Sequence, residues 1–295
     1  MRKKAIALCM VSAMAVGMLT GCGGSKTATD STGSSKASGT ITAAGSSALK
    51  PLVDDAAQAY HEENPDVAIT VDAGGSGEGL KQVYEGTVQI GNSDVAAEEK
   101  LEADQAKELV DHQPCVVTMA PIVNKDVTEA GVKDLTKDQL IGIFTGKTKN
   151  WKEVGGPDED IVLVTRPTSS GTRATFQKYA LDGNEEASNQ SMETDDSGVL
   201  LKNVGDTKGA IGYVALSYLV DNDTVDTLSL DGVEPTLENT YNGTYPVWAA
   251  EHMYTKGEPD ETVKGFLDFI SGEKYAEKME KLGYGVASKM KSMDH

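Results

Sequence analysis

Ile161 to Thr165 is an uncharged run rich in β-branched side chains, and it leads straight into Arg166 and the string Pro167-Thr168-Ser169-Ser170-Gly171-Thr172. Beyond it, Ala174, Phe176, Tyr179 and Ala180 fall at helical spacing. This order predicts a buried parallel strand, a hydroxyl- and glycine-rich turn, and a helix that starts in the turn. A chain built around such a unit folds as an α/β protein, and the turn is suited to anions. The first N–H groups of a helix have no partner within it, and the helix dipole adds positive potential at the same end. Ser170 and Thr172 add O–H donors, and Gly171 lets backbone come close. Arg166, at the strand end, can grip an oxyanion through two parallel bonds. The plainer reading of the same residues is an N-capped helix beside a surface arginine.

The pattern recurs. Thr40 to Ala44 reads as a strand and Gly45-Ser46-Ser47 as its turn, and Leu49, Leu52, Val53, Ala56, Ala57 and Tyr60 line one face of a helix. Ser46 or Ser47 is the expected N-cap, Pro51 is tolerated in the first turn, and Asn64-Pro65 ends the helix. Val67 to Val71 is a second strand, followed by Gly74-Gly75-Ser76-Gly77-Glu78-Gly79. Those glycines suit either a flexible surface loop or backbone approaching a ligand closely. Val88 to Gly91 is a third strand ending in Asn92-Ser93-Asp94, with a Glu- and Lys-rich helix expected over Glu98 to Val110. Four turns thus place Ser, Gly or Asp at the carboxyl ends of strands, which is the ligand edge of an open α/β sheet.

Cys115 to Asn124 has no helical period and is expected as a long strand, the first crossover between two lobes; Tyr245 to Tyr254 is the second. Between them the sequence predicts a helix over Leu135 to Phe144 capped by Thr136, and a polar surface loop over Gly183 to Asn189. A helix over Gly198 to Val204 and a strand over Gly209 to Val214 follow. Glu261 to Ile270 and Lys274 to Leu282 read as closing amphipathic helices. His61, His112, His252 and His295 show no pairing in sequence.

A chain of 295 residues is long enough for two α/β lobes with cores of their own. Its net charge of −19 argues against a nucleic-acid partner, which needs a basic footprint. Long-range repulsion of an anionic ligand is screened within ~8 Å at physiological salt, so local donors can still prevail at a site. Residues 1–21 read as a signal peptide: Arg2, Lys3 and Lys4, then the apolar run Ala5 to Leu19, too short for the ~20 residues of a membrane span. Leu19-Thr20-Gly21-Cys22 resembles a lipobox, with Cys22 as the lipidated first residue of the mature chain. Removal of residues 1–21 takes away three positive charges and no negative ones, so the net charge goes from −19 to −22. Residues 22–39, rich in Gly, Ser, Thr and Lys, are expected as a flexible tether. Cys115 is the one cysteine left, a small buried side chain; no disulfide framework or metal-ligand spacing is present, and no cofactor is implied.

These segments together resemble the phosphate-binding lipoproteins that serve bacterial phosphate ABC transporters. The resemblance runs from about Thr40 to Ser288. It rests on Ala44-Gly45-Ser46-Ser47-Ala48, on Gly75-Ser76-Gly77-Glu78-Gly79-Leu80-Lys81-Gln82 and on Ile90-Gly91-Asn92-Ser93-Asp94. It rests also on Leu140 to Gly146 with Trp151, on Arg166 with Ser170-Gly171-Thr172, and on Gly209 to Tyr213. It implies a two-lobed periplasmic-binding-protein fold of type II, with two crossover strands and the ligand in the cleft between lobes. One lobe would comprise residues 40–117 and 249–295, the other residues 118–248. It implies phosphate contacts at Ser47, Ala48, Ser76, Asp94, Arg166, Ser170, Gly171 and Thr172, and an ABC permease as partner. It also implies a place on the outer face of the cell membrane, held by lipid. Family members often carry an acid two residues after the arginine to orient it; here that residue is Thr168, which leaves open how Arg166 is held.

Three other readings compete. Another tetrahedral oxyanion, such as sulfate, molybdate or tungstate, would suit the same donors. A serine hydrolase is suggested by Ser47-Ala48-Leu49-Lys50, an S-x-x-K string. The same string recurs at Ser271 and Ser288, and its partner motifs are missing. An adhesion lipoprotein on the same fold would leave the site idle.

Overall fold

The computed structural model describes residues 37–187 and 191–293. The signal peptide, Cys22, most of the tether, Ser188 and Asn189 of the polar loop, and His295 lie outside the described residues. The described residues form a single unit containing two large sheets and one two-stranded sheet.

The first sheet is made by the expected repeating units. Strand β1 (Gly39–Gly45) leads to α1 (Lys50–Glu63), β2 (Val67–Ala73) to α2 (Ser76–Glu85), and β3 (Ile90–Ser93) to α3 (Ala103–Ala106) and β4 (Leu109–His112). β1 lies between β2 and β3, parallel to both, so the carboxyl ends of all three strands meet at one edge. The apolar face of α1 (Leu52, Val53, Ala56, Ala57 and Tyr60) is buried, as its spacing requires.

The chain then crosses. β5 (Val116–Asn124) enters the second sheet, followed by α4 (Lys125–Glu129), β6 (Asp134–Leu135) and α5 (Lys137–Phe144). Thr136 caps α5 in a reciprocal capping box with Gln139. β7 (Val162–Thr165) feeds α6 (Gly171–Tyr179), and β8 (Ser191–Glu193) feeds α7 (Ser197–Asp206); β9 (Ala210–Ala215) is buried throughout. β10 (Val225–Thr227), β11 (Ser229–Leu230) and α8 (Leu237–Tyr241) precede β12 (Trp248–Ala250). The sheet order is β10-β5-β9-β7-β8, with β12 also on β5, and β6 pairs with β11.

The return crossing is short. β12 lies antiparallel on β5, and one residue later β13 (His252–Lys256) is in the first sheet, antiparallel to both β3 and β4. Glu251 is the residue between, and its N–H donates to Cys115 O at 2.9 Å, tying the two crossovers together. Helices α9 (Glu261–Ile270) and α10 (Glu273–Lys281) close the chain. The α9 face of Val263, Phe266, Leu267 and Ile270 is buried, and Phe266 meets Tyr60 of α1 edge-on at 5.6 Å. Each such side chain contributes roughly 1.5–3 kcal/mol by leaving water.

Four expectations are corrected. The helix over Glu98 to Val110 is a 3₁₀ turn at Ala97–Glu99, the single-turn α3, and then strand β4. Pairing of Leu109 to His112 with β13 overrides the helical preference of the Glu and Lys residues before it. Neither Ser46 nor Ser47 is the flanking residue of α1; Leu49 is. Ser46 Oγ caps the turn before it by accepting from Leu49 N at 3.1 Å. The loop expected on the surface at Gly183 to Asn189 buries Glu186. His252, expected unpaired, sits 2.9 Å from Asp111 and stacks on Tyr254. Cys115 is buried and free, as expected.

Candidate functional site

The strand-to-helix turns of the two sheets meet one another. From the first sheet come Gly45 to Ala48, Gly75 to Gly77, and Asp94. From the second come Arg166 to Thr172 and a fifth turn, Thr194 to Ser197, that leads from β8 into α7. Ser47 Oγ donates to Asp195 O at 2.8 Å and lies 2.9 Å from Ser197 Oγ. Gly77 N donates to Ser169 O at 3.2 Å. Lys100 Nζ reaches Thr168 O at 2.9 Å and Ser170 O at 3.3 Å. Tyr218 donates to Ser47 O at 2.7 Å. These contacts join residues far apart in sequence, and they close the turns of one sheet onto those of the other.

Arg166 is fully buried. Its Nη1 donates to Asp195 O at 3.2 Å and lies 3.9 Å from Asp195 Oδ1, and its Nη2 donates to Ser197 Oγ at 2.9 Å and to Tyr213 O at 3.3 Å. Its guanidinium stands 5.5 Å from the centre of the Tyr213 ring, which stacks on Phe176 at 4.0 Å. The Tyr213 hydroxyl donates to Glu186 at 2.7 Å, and Arg173 Nη1 donates to Arg166 O at 2.6 Å. Burial pushes the Glu186 carboxyl up to about 7, against the pull of Tyr213 and of Arg173 and Arg166. Thr168 takes no part in this grip: Asp195, on a different turn, is the acid that faces the guanidinium. Burial raises the Asp195 carboxyl, while Ser170 and Arg166 pull it down. The Arg166 Nε–H is buried with no hydrogen-bond partner among the described residues. A buried donor so left is costly unless something accepts from it.

Asp94 is almost wholly buried, at 2% exposure. Its Oδ1 accepts from Ser46 Oγ of its own sheet, and its Oδ2 accepts from Thr172 Oγ1 of the other at 2.6 Å. Its backbone N donates to Ser76 Oγ at 3.0 Å, and its carbonyl accepts from Thr175 at 3.2 Å. A cavity of about 200 Å³ reaches Asp94 from outside, between Thr175, Lys178, Tyr179 and the crossover residues Trp248 to Ala250.

All eight residues named from sequence fall in this cluster. Ser47, Ser76, Asp94, Arg166, Ser170 and Thr172 are buried polar groups within it. Ala48 contributes backbone, its carbonyl accepting from Tyr284 at 2.6 Å. Ser170 caps α6. Gly171 is a necessity of space: a Cβ there would stand 2.1 Å from Ser76 Oγ and 3.1 Å from Asp94 Cβ. Gly75, with φ of +85°, likewise passes so close to Asp195 that a Cβ would meet its Oδ2 at 1.9 Å. The sequence reading missed Asp195, Ser197, Lys100, Arg173 and Tyr213. The first two had a signal, since Thr194-Asp195-Asp196-Ser197 is one more polar turn opening a helix. In the S-x-x-K string, Lys50 pairs with Asp54 and with Val71 O rather than with Ser47.

Comparison with known proteins agrees with this architecture. The sequence model of the PBP superfamily domain matches residues 30–274. The phosphate-binding protein PstS of Bacillus subtilis is 54% identical over 278 residues, covering 92% of this chain and 90% of that protein. A candidate phosphate ABC transporter substrate-binding protein from Clostridium perfringens, solved with bound phosphate, superimposes with a TM-score of 0.75 at 33% identity, over 83% of this chain and 98% of that one. An ABC-type phosphate transport receptor from Vibrio cholerae does so at 0.64 and 26% identity, over 83% and 99%.

Proposed function

The chain belongs to the PBP superfamily and, within it, to the family of the phosphate-binding protein PstS, and from this we propose that it binds inorganic phosphate outside the cytoplasmic membrane and hands it to an ABC permease for import. Phosphate enters the cleft between the lobes and gives up its water to N–H and O–H donors from both. Arg166 supplies the full positive charge, and its unpartnered Nε–H is a donor ready for an oxyanion. Ser47, Ser76, Ser170 and Thr172 supply hydroxyls, and Ala48 and Gly171 supply backbone at helix starts. Closure of the lobes around the ligand presents the form that docks on the permease.

The observation that carries this reading is Asp94, a buried carboxylate inside an anion site. Like charges repel, strongly so away from water. The arrangement suits a ligand that brings a proton. Phosphate keeps at least one near neutral pH and can donate it to Asp94, whereas sulfate offers only acceptors. Titration calorimetry of the wild type at constant ionic strength tests this: saturable phosphate binding with no sulfate binding is expected, and equal binding of both would overturn it.

The lobes divide at residues 40–117 with 249–295, and at residues 118–248; the change of sheet falls within two residues of these bounds, since β5, which begins at Val116, and β12, which ends at Ala250, both lie in the second sheet. The protein acts by binding and release, without turnover of its ligand. No helix among the described residues is long and apolar enough to cross a membrane. Attachment is through lipid on Cys22, on the outer face. Cys22→Ala should release the protein from the membrane fraction with its phosphate binding intact; unchanged membrane association would contradict lipid anchoring.

A further inference from the structure

Glu251 is fully buried at the one-residue junction between β12 and β13, and neither of its carboxyl oxygens accepts from an N–H or O–H group of another described residue; the group within its hydrogen-bonding reach is the Asp94 carboxyl. The register of β13 on β3 shows what it faces. His252 pairs with Ser93 and Met253 with Asn92 in antiparallel order, so the next pair outward is Glu251 with Asp94. Directly opposed residues of an antiparallel pair put their side chains on one face, close enough to interact. The other titratable groups that act with Glu251 are the Cys115 thiol, from the neighbouring crossover, and the Tyr284 hydroxyl, from the turn after α10. All are acids, and burial pushes both of these up, which keeps them neutral.

Two buried carboxyl groups side by side do not both ionise unless a cation offsets both; Lys100 acts on Asp94 but not on Glu251, and Asp195 adds a further acid beside Asp94. Asp94 accepts hydroxyl hydrogen bonds on both oxygens, from Ser46 and from Thr172, and bonds to the charged form hold the charge where they are made. Glu251 accepts none. We propose that Glu251 stands at the hinge as a neutral carboxylic acid with its proton directed toward Asp94, so that the pair carries one negative charge and that charge sits on Asp94. Burial first, and the Asp94 charge second, push the Glu251 carboxyl well above the usual carboxylate range.

Glu251 is then a positioning residue for ligand choice. It keeps Asp94 ionised and oriented, able to accept from phosphate, and it does so from the junction where the chain passes from the second sheet back to the first. This consequence rests on the phosphate reading; the location of the proton does not.

Infrared difference spectra of the mature full-length protein without phosphate, wild type minus Glu251→Gln at pH 7, read the proton directly. The expected difference is the C=O band of a protonated carboxylic acid; a carboxylate band in its place would overturn the proposal. Phosphate titration reads the consequence. Loss of a hydrogen bond to a charged group predicts roughly tenfold or more weaker binding for Glu251→Leu. Glu251→Gln, which keeps an N–H donor toward Asp94, should recover most of that loss. In alkaline solution the wild type should lose phosphate affinity faster than Glu251→Gln, because only the wild type ionises a second carboxyl. Binding by Glu251→Leu equal to wild type would remove the positioning role. A wild type that shows the acid band yet binds no phosphate would uphold the proton and sink the phosphate reading alone.

Discussion

Two charged groups of the site, Arg166 and Asp94, are held in opposite ways. Arg166 is fastened within its own half of the molecule: Asp195, Ser197, Tyr213 and, through the backbone, Arg173 all belong to the second sheet and its turns. An aromatic stack and the buried Glu186 stand behind it. Asp94 is shared between the halves, with one oxygen served by Ser46 from its own sheet and the other by Thr172 from across the cleft. The difference separates two jobs. A charge fixed in one lobe can meet an anion before closure, and it works for any oxyanion. On the proposed reading, a carboxylate completed only when both lobes contribute would read the ligand at closure, through the ligand's proton.

The largest effect should come from breaking the fixed charge. Arg166→Ala is expected to weaken phosphate binding by ~2–5 kcal/mol in calorimetry, the range for truncating one side of a buried charged pair. Arg166→Lys should recover only part of this, because the planar fork is lost. The same loss should appear for any anion that binds, since the arginine does not choose among them. Phosphate binding by Arg166→Ala at wild-type strength would place the site elsewhere.

The support behind Arg166 should show in stability rather than in choice of ligand. The Glu186 carboxyl titrates higher in the folded chain, at about 7, than its ordinary value of 4.5. The folded state therefore favours the protonated form. The stability that Glu186 contributes is fully present below pH ~4.5 and is lost as pH rises through about 7, by something on the order of 3 kcal/mol. Glu186→Gln should flatten that slope in denaturant unfolding measured from pH 5 to 8 while leaving the phosphate-over-sulfate ratio alone. A slope unchanged in Glu186→Gln would show that the pH response comes from another group.

The shared side is probed at Gly171, where a methyl group would collide with Ser76 and Asp94 across the cleft. Overpacking of this kind costs ~1–3 kcal/mol. Here it should fall on closure: Gly171→Ala should bind phosphate more weakly with little change in unfolding midpoint. A drop in stability as large as the drop in affinity would mean the contact belongs to the fold and not to closure.

The contrast also explains what the sequence disclosed. The repeating strand, polar turn and helix was legible because its signals are local: period, cap and glycine all lie within about twenty residues of one another in each unit. Thr136 as the cap of α5 and the buried face of α1 needed no tertiary knowledge. Strand β4 was hidden because Leu109 to His112 is strand only by pairing with residues far down the chain, at β13. The holder of Arg166 was hidden for a similar reason. Thr168 occupies the local position for an orienting acid, and the acid comes from Asp195, on a separate turn. Glu251 was unreadable because nothing near it in sequence says that Asp94 lies opposite.

The central claim is that Asp94 reads a proton. Titrate wild type and Asp94→Asn with phosphate and with sulfate at constant ionic strength. Replacing the carboxylate by an amide turns part of an acceptor into a donor and removes the repulsion that excludes sulfate. The account predicts that Asp94→Asn narrows a wild-type preference that can reach ~10⁴, chiefly by admitting sulfate. An equal phosphate-over-sulfate preference in the two proteins would contradict it.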